Sequence, residues 1–178
     1  MGASRKICIG VVCVVVLAVA IAIGLIAGSL RRLSTEEAGI KYDTIRRILH
    51  NKLFMAGLHT GPIGYEFIIF PKNYRSLSFD NLICMNKDGL EIQLDVQFQY
   101  LAKLNGVTLN KLIREYETHE NYARVVMLAA EEVIHETCSR FNVTQFQSEL
   151  VNFQNSIHQL LDERLGDEFH ANVRDVQV

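Results

Sequence analysis

A cysteine and a histidine are the residues of this chain whose spacing comes closest to catalytic chemistry. Cys138 follows His135 by three positions in a stretch with helical periodicity, and such residues share one face of a helix. A thiolate nucleophile also needs an activating cleft and a third, orienting group, and the sequence indicates neither. A helix-end cysteine beside solvated charges is the favoured interpretation. A membrane-tethered hydrolase that uses Cys138 and His135 is the alternative.

Other catalytic, metal and nucleotide motifs are absent from the sequence. The six histidines are scattered without an HExxH motif, and Cys84 and Cys138 form no CxxC pair, so we predict neither a zinc site nor a disulfide framework. The glycines at 57, 61 and 64 do not form a phosphate-binding loop. Lys and Arg number 18 against 20 Asp and Glu, which argues against a nucleic-acid partner. We therefore predict a protein that is not an enzyme and has no cofactor.

Two residues are candidates for covalent modification. Asn142 begins the sequon Asn-Val-Thr, which can accept a glycan if the domain lies in a lumen. The alternative role is a cap for a helix that starts near Gln145. Cys8 lies near the start of an apolar run and could be palmitoylated if that end faces the cytoplasm. A small apolar residue within a membrane helix is the favoured interpretation of Cys8.

The apolar run from Ile7 to Leu30, which passes through Leu17, contains no charge and no proline. As a helix it would extend roughly 36 Å, whereas a bilayer core is about 30 Å thick. We therefore predict a single transmembrane helix over residues 7–30 after an N-terminal stub at residues 1–6. A cleaved signal peptide is the alternative, but the run exceeds the usual apolar length and ends in arginines.

The charges beside this run bear on which side of the membrane holds the rest of the chain. Two basic residues precede it, Arg5 and Lys6. Those that follow it closely are Arg31, Arg32, Lys41, Arg46 and Arg47. The positive-inside rule therefore slightly favours a cytoplasmic C-terminal domain.

The first part of that domain is predicted to form strands. Residues 90–100 alternate apolar and polar side chains without a break, and Lys87-Asp88-Gly89 supplies a turn to a strand at 81–85. Shorter strands are predicted near Gly39, at 65–70 before Pro71, at 74–79 and at 170–178. Residues 44–54 fit either a helix or a strand pair.

The second part is predicted to form helices. The i, i+3, i+4 spacing of apolar residues predicts helices at 108–116, 119–138 and 145–165, the last ending at Gly166. The fold class is therefore α+β: an N-terminal transmembrane helix, then an antiparallel sheet packed by two long helices, with a closing strand. The domain is expected over residues 31–178.

The loop-rich segment 53–70 has two interpretations. Its apolar side chains could enter the interfacial layer of the membrane, or they could fill the core under the sheet, which the sequence alone favours. The candidate interface residues are Phe54, Leu58, His59, Ile63 and Phe67. We interpret His59 as structural or interfacial and not as catalytic.

Several short strings, taken in order, resemble the SPFH family, which includes stomatin, prohibitin and flotillin and is also called band 7. Gly57-Leu58-His59 before Pro62 is similar to a glycine-aliphatic-histidine string of the family, and Phe70-Pro71 is similar to its strand stop. Lys87-Asp88-Gly89 with the alternating strand that ends at Tyr100 is similar to its most recognisable segment. The resemblance covers roughly residues 35–178.

This resemblance implies a function at membranes. The proline-free apolar run looks like the single anchor of prohibitins, which would place the domain outside the cytoplasm or matrix. The resemblance implies a non-catalytic scaffold that binds membrane lipid, oligomerises laterally with copies or SPFH relatives, and gathers partner proteins in a membrane microdomain. A prohibitin-like regulator that encloses a membrane-bound AAA protease or chaperone is the alternative. The family's long coiled-coil helix would begin where this chain ends, so it is expected to be absent or to lie beyond the chain.

Overall fold

Eight strands and five helices make up the part of the chain that the computed structural model describes, which is residues 2–62 and 64–178, with side chains from residue 15 onward. The helices are α1 (Gly2–Gly28), α2 (Gly106–Tyr116), α3 (His119–Cys138), α4 (Val143–Ser148) and α5 (Leu150–Asp167). The strands are β1 (Leu30–Leu33), β2 (Glu37–Asp43), β3 (Ile48–Phe54), β4 (Gly57–Thr60), β5 (Tyr65–Pro71), β6 (Arg75–Met85), β7 (Glu91–Ala102) and β8 (Ala171–Gln177).

The α+β class is confirmed, but the strands form three small antiparallel sheets and not one. The sheets have the strand orders β1–β4, β3–β2–β5 and β6–β7–β8. Alternation along a strand reveals its buried face without revealing which strands pair, so the division into three sheets could not be predicted. Residues 44–54, which the sequence left open, form a turn followed by β3.

The β6–β7 hairpin is the longest paired element and confirms the predicted turn at 87–89. The Asn86 side-chain oxygen accepts hydrogen bonds from the backbone N–H groups of Asp88 (3.0 Å) and Leu90 (2.8 Å). Gly89 supplies the positive φ of 76° that closes the turn. The two strands predicted at 74–79 and 81–85 are one strand with a bulge after Phe79. Asn81 occupies the bulge with a φ of 57°, and its N–H donates to the Asp95 carboxylate.

Helices α3 and α5 pack on each other and on the sheet of β6, β7 and β8, and their contact is the centre of the core. The predicted apolar face of α3 is entirely buried: Tyr122, Val126, Ala129, Ala130, Val133 and Ile134. The buried residues of α5 are Phe153, Ile157, Leu161 and Leu165. This arrangement confirms the predicted helix at 119–138, which buries the whole stripe that its periodicity marks, whereas α5 buries only part of the second predicted stripe.

The predicted helix at 145–165 is wrong in detail, because the structure divides it. Glu149 leaves helical geometry with φ −128° and ψ 35°, so α4 ends there and α5 begins. Gly166 also fails as a helix stop, since α5 continues through Asp167. The burial of Leu165 and the ion pair of Arg164 with Glu168 (3.1 Å) stabilise this last turn against the weak helix propensity of glycine.

A disulfide joins Cys84 on β6 to Cys138 at the end of α3, with their Cα atoms 6.2 Å apart. Our prediction of no disulfide is wrong, because tertiary packing of α3 on β6 brings together residues that are 54 positions apart. Both residues are buried, at 1% and 0% exposure. By the loss of entropy in the unfolded chain, closing a loop of this length stabilises the fold by about 4 kcal/mol.

Removing this disulfide tests its contribution. We expect the Cys84→Ala/Cys138→Ala variant to lose about 4 kcal/mol of unfolding free energy, measured by denaturant unfolding of the full chain in detergent. The control is the unsubstituted protein in reductant, which should lose a similar amount. Equal stability of oxidised protein, reduced protein and variant would contradict the structural role.

The environment of His119 predicts that the stability of the domain falls in acid. Its ring packs edge-on against Phe70, with centroids 5.4 Å apart, and burial lowers the pKa of His119, with the nearby charge of Arg75 lowering it further. The unfolded chain therefore binds a proton at a higher pH than the folded chain does. Stability is fully present above the ordinary pKa of about 6.5 and falls as the pH drops below it.

We expect a His119→Phe variant, which keeps the aromatic contact, to lose part of this acid sensitivity. The measurement is unfolding free energy against pH on both sides of the ordinary histidine pKa. His135→Phe is the matched control, because His135 is exposed on the same helix. Identical pH profiles for His119→Phe and the unsubstituted protein would show that this ring does not cause the acid dependence.

Candidate membrane-facing surface

The described side chains of α1 are exposed on every side of the helix. All residues from 15 to 28 are exposed, and they carry no charge. The large apolar ones are Val15, Val16, Leu17, Val19, Ile21, Ile23, Leu25 and Ile26, each between 51% and 63% exposed. A helix that is apolar all round is normally buried in protein or in a membrane. Contact of this helix surface with water is therefore energetically unfavourable.

The predicted anchor residues fall in three different places. Leu17 lies in α1 and is 63% exposed. The predicted end at Leu30 is wrong, because α1 ends at Gly28 and Leu30 is the first residue of β1. Ile7 and Cys8 lie outside the residues whose side chains are described. Among the described residues, no helix is both long enough and apolar enough to cross a membrane.

Hydrogen bonds connect the end of α1 to the residue that follows β4. The Ser29 N–H donates to the carbonyls of Leu25 and Ile26, which satisfies the last turn of the helix. The Ser29 hydroxyl donates to the Gly61 carbonyl (2.8 Å), and the Gly61 N–H donates back to the Ser29 carbonyl (3.3 Å). The two-stranded sheet of β1 and β4 begins at this junction, pairing Leu30 with Thr60.

An aromatic cluster lies beside this two-stranded sheet. The rings of Phe54, His59 and Phe67 contact one another edge to face, with centroids 5.2–5.7 Å apart. Tyr65 joins them at 5.6 Å from Phe67 and donates its hydroxyl proton to the His59 carbonyl (2.7 Å). Edge-to-face contacts of this kind add stability beyond area burial. The cluster therefore holds β3, β4 and β5 together.

Lys41 lies over the aromatic cluster. Its ammonium is 4.5 Å from the Phe54 centroid and 4.9 Å from that of Tyr65, and it donates to the Thr60 carbonyl. These are cation–π distances. Burial lowers the pKa of Lys41, and the charge of Lys52 lowers it further. Sequence reasoning missed Lys41 and Tyr65, since only the pairing of β2 with β5 places Lys41 opposite Phe67.

The predicted interface residues therefore separate into two groups. Phe54, His59 and Phe67 are half-buried in the aromatic cluster, so their rings are largely occupied by one another. Leu58 on β4 is 66% exposed, and Met55, in the loop before β4, is 45% exposed. Ile63 lies outside the described residues. Leu58 is opposite Arg32 across the β1–β4 pair, which places an apolar and a basic side chain side by side on the surface.

The chemistry proposed for Cys138 is excluded by its bond to Cys84. A hydrolase with Cys138 as nucleophile is wrong, because that sulfur is not a thiol and the residue is fully buried. His135 points outward on α3, with its ring nitrogen 3.9 Å from the Glu131 carboxylate. Within the described residues, no cluster of His, Cys, Asp or Glu could hold a metal ion.

Asn142 caps α4, which is the role that the sequence analysis gave as the alternative to glycosylation. Its side-chain oxygen accepts from the Gln145 N–H (2.9 Å), and the Gln145 side chain accepts from the Asn142 N–H (3.1 Å). This reciprocal pair is a capping box. The cap uses the amide oxygen of Asn142 and makes no use of its amide nitrogen.

Gly61 provides a test of the junction between α1 and the aromatic cluster. A Cβ at this position would lie 2.6 Å from the ring carbons of Tyr65, which is buried. We expect Gly61→Ala to displace that ring and to lower the unfolding free energy by about 1–3 kcal/mol. Thr60→Ala, next to it and exposed, is the control. Denaturant unfolding measures both, and equal losses would contradict the tight fit at Gly61.

Comparison with known proteins identifies the family of this chain. The family model described as SPFH domain / Band 7 family matches residues 25–178. A comparison with curated proteins gives no match. The matched region runs from the last turn of α1 to the end of β8 and so contains the junction, the aromatic cluster and the core helices. The chain therefore belongs to the SPFH domain / Band 7 family.

Proposed function

We propose that this protein is a non-catalytic scaffold, anchored in a membrane by one helix, which assembles laterally and gathers partner proteins. Membership of the SPFH family supports association with a membrane. The observation that carries the proposal is the apolar surface of α1, exposed all round and joined without a linker to the folded domain.

The anchor follows from the cost of leaving α1 in water. Removing one valine, leucine or isoleucine side chain from water lowers the free energy by about 1.5–3 kcal/mol. The described part of α1 exposes eight large apolar side chains. The apolar sequence continues N-terminally to Ile7, so residues 7–28 have the composition of a single membrane span. Arg31 and Arg32, exposed just after the helix, would lie at the headgroups.

The membrane contact would extend onto the two-stranded sheet. Leu58 on β4 and Met55 in the loop before β4 are exposed apolar residues, and Arg32 lies opposite Leu58. An apolar side chain beside a basic one suits the boundary between acyl chains and anionic headgroups. We propose that Leu58 contacts lipid while Phe54, His59 and Phe67 support it from within the domain.

Lateral assembly would use exposed apolar residues at the β6–β7 turn and on α3 and α5. Ile83, Met85 and Leu90 cluster at the β6–β7 turn and are 55–59% exposed. Leu128 on α3 and Val151 on α5 are 58% and 70% exposed. Large apolar side chains grouped at a surface mark contact sites. We propose that copies of this chain, or SPFH relatives, meet through them.

The test of this proposal is the native mass of the protein extracted in a mild detergent. We expect a particle that contains many copies, and a smaller particle for the variant Ile83→Gln/Met85→Gln. Lys87→Gln, an exposed polar residue at the same turn, is the control and should leave the mass unchanged.

Two other results would count against the scaffold. A particle of one chain with one unrelated partner would contradict lateral assembly. Stoichiometric recovery of an AAA-type protease or chaperone inside the particle would favour the regulator that encloses such an enzyme.

A further inference from the structure

We propose that the folded domain faces an oxidising, extracytoplasmic compartment and that Asn142 carries an N-linked glycan there. Two independent observations support the inference, the disulfide between Cys84 and Cys138 and the geometry of the sequon at Asn142. The inference rests on the proposed anchor only for the statement that the N-terminus remains on the opposite side of the membrane.

The disulfide indicates the compartment. Disulfides persist in secreted proteins and in the lumen of the endoplasmic reticulum, and they are rare in the cytosol, where thiols are kept reduced. The bond belongs to the core, because Cys84 and Cys138 are both buried and belong to the cluster of Val133, Ile134 and Phe153. A bond at this depth forms as the domain folds, so the compartment in which folding occurs must supply the oxidant.

The chemistry of that step is a thiol–disulfide exchange. One thiolate of the pair attacks a disulfide of an oxidising protein and forms a mixed disulfide with it. The second thiolate then attacks the sulfur of the first cysteine and releases the oxidising protein as a thiolate. The sulfur atoms of Cys84 and Cys138 lose two electrons and two protons together. The oxidant's disulfide accepts them and becomes a dithiol.

The β6–β7 turn fixes the segment that carries the sequon next to the disulfide. The Lys87 N–H donates to the Phe141 carbonyl (2.9 Å), and the Val143 N–H donates to the Asp88 carboxylate (3.2 Å). Asn142 lies between these two bonds, four positions after Cys138. The disulfide and the sequon therefore belong to one rigid corner of the domain and face the same compartment.

The geometry of Asn142 suits a glycan. Its side-chain oxygen is bound to the Gln145 N–H at 2.9 Å, while its amide nitrogen, the atom that a glycan would occupy, has no part in the capping box. Asn142 is half-buried and Thr144 is exposed. A sugar on the nitrogen would therefore leave the cap of α4 intact.

The modification is a group transfer from a lipid diphosphate-linked oligosaccharide. A bond forms between the Asn142 amide nitrogen and the first sugar carbon, and the bond from that carbon to the diphosphate breaks. The nitrogen loses one proton and the lipid diphosphate leaves. The enzymes that do this recognise Asn-X-Ser/Thr on the lumenal side, so glycosylation reports sidedness as well as the site.

This inference reverses the expectation drawn from the basic residues. The positive-inside count included Lys41, Arg46 and Arg47, which the structure places in β2 and in the turn before β3. Residues of a folded domain contribute little to orientation, since domains are translocated largely regardless of charge. The immediate flanks then carry one pair each, Arg5 with Lys6 and Arg31 with Arg32, and favour neither side.

The test expresses the full chain in eukaryotic cells and examines isolated membranes in two ways. Removal of N-glycans by an amidase should increase the electrophoretic mobility of the unsubstituted protein and of Thr144→Ser, which keeps the sequon. It should leave Asn142→Gln and Thr144→Ala unchanged, and Thr144→Ala keeps the Asn142 cap. In a Cys8→Ala/Cys13→Ala background, a maleimide mass tag should label denatured protein only after reduction, and then twice per chain.

Two outcomes overturn parts of the inference. An unmodified Asn142 overturns the glycan site. Labelling of Cys84 and Cys138 without reduction overturns the oxidising compartment. Alkaline extraction of the same membranes separates this inference from the proposed function. Glycosylated protein released by alkali would refute the anchor alone, whereas unmodified, unoxidised protein retained in the membrane would refute the inference alone.

Discussion

The apolar surface of α1 is the constraint on which the rest of this molecule depends. Its described side chains are exposed on every side, so the helix cannot remain in water without a large free-energy cost. The helix ends at Gly28, and Ser29 is hydrogen-bonded to Gly61, the residue that follows β4. Whatever surrounds α1 therefore also determines where the two-stranded sheet and the domain behind it are held.

Three sets of contacts hold the domain together. The aromatic cluster under Lys41 connects β3, β4 and β5, and α3 and α5 bury a continuous core against the sheet of β6, β7 and β8. The disulfide joins β6 to the end of α3, and hydrogen bonds of Lys87 and Asp88 join the β6–β7 turn to the segment after α3.

The sequence predicted those features that depend on local periodicity. The strand at 90–100, the turn at 87–89 and the buried face of α3 all follow from patterns with a spacing of two or of three to four residues. The sheet pairings, the disulfide and the position of Lys41 over the aromatic cluster depend on contacts between distant segments, and no local pattern encodes them. The break at Glu149 was missed because the apolar stripe continues across it.

The central claim, that α1 lies in a bilayer with the domain at its surface, is tested most directly by spin labels. Single labels at Val16→Cys, Ala20→Cys, Gly24→Cys and Thr35→Cys, in a Cys8→Ala/Cys13→Ala background in vesicles, compare access by oxygen with access by a water-soluble nickel chelate. We predict high oxygen and low nickel access at the three helix positions, with the reverse at Thr35→Cys. Nickel access at the helix positions equal to that at Thr35→Cys would contradict the account.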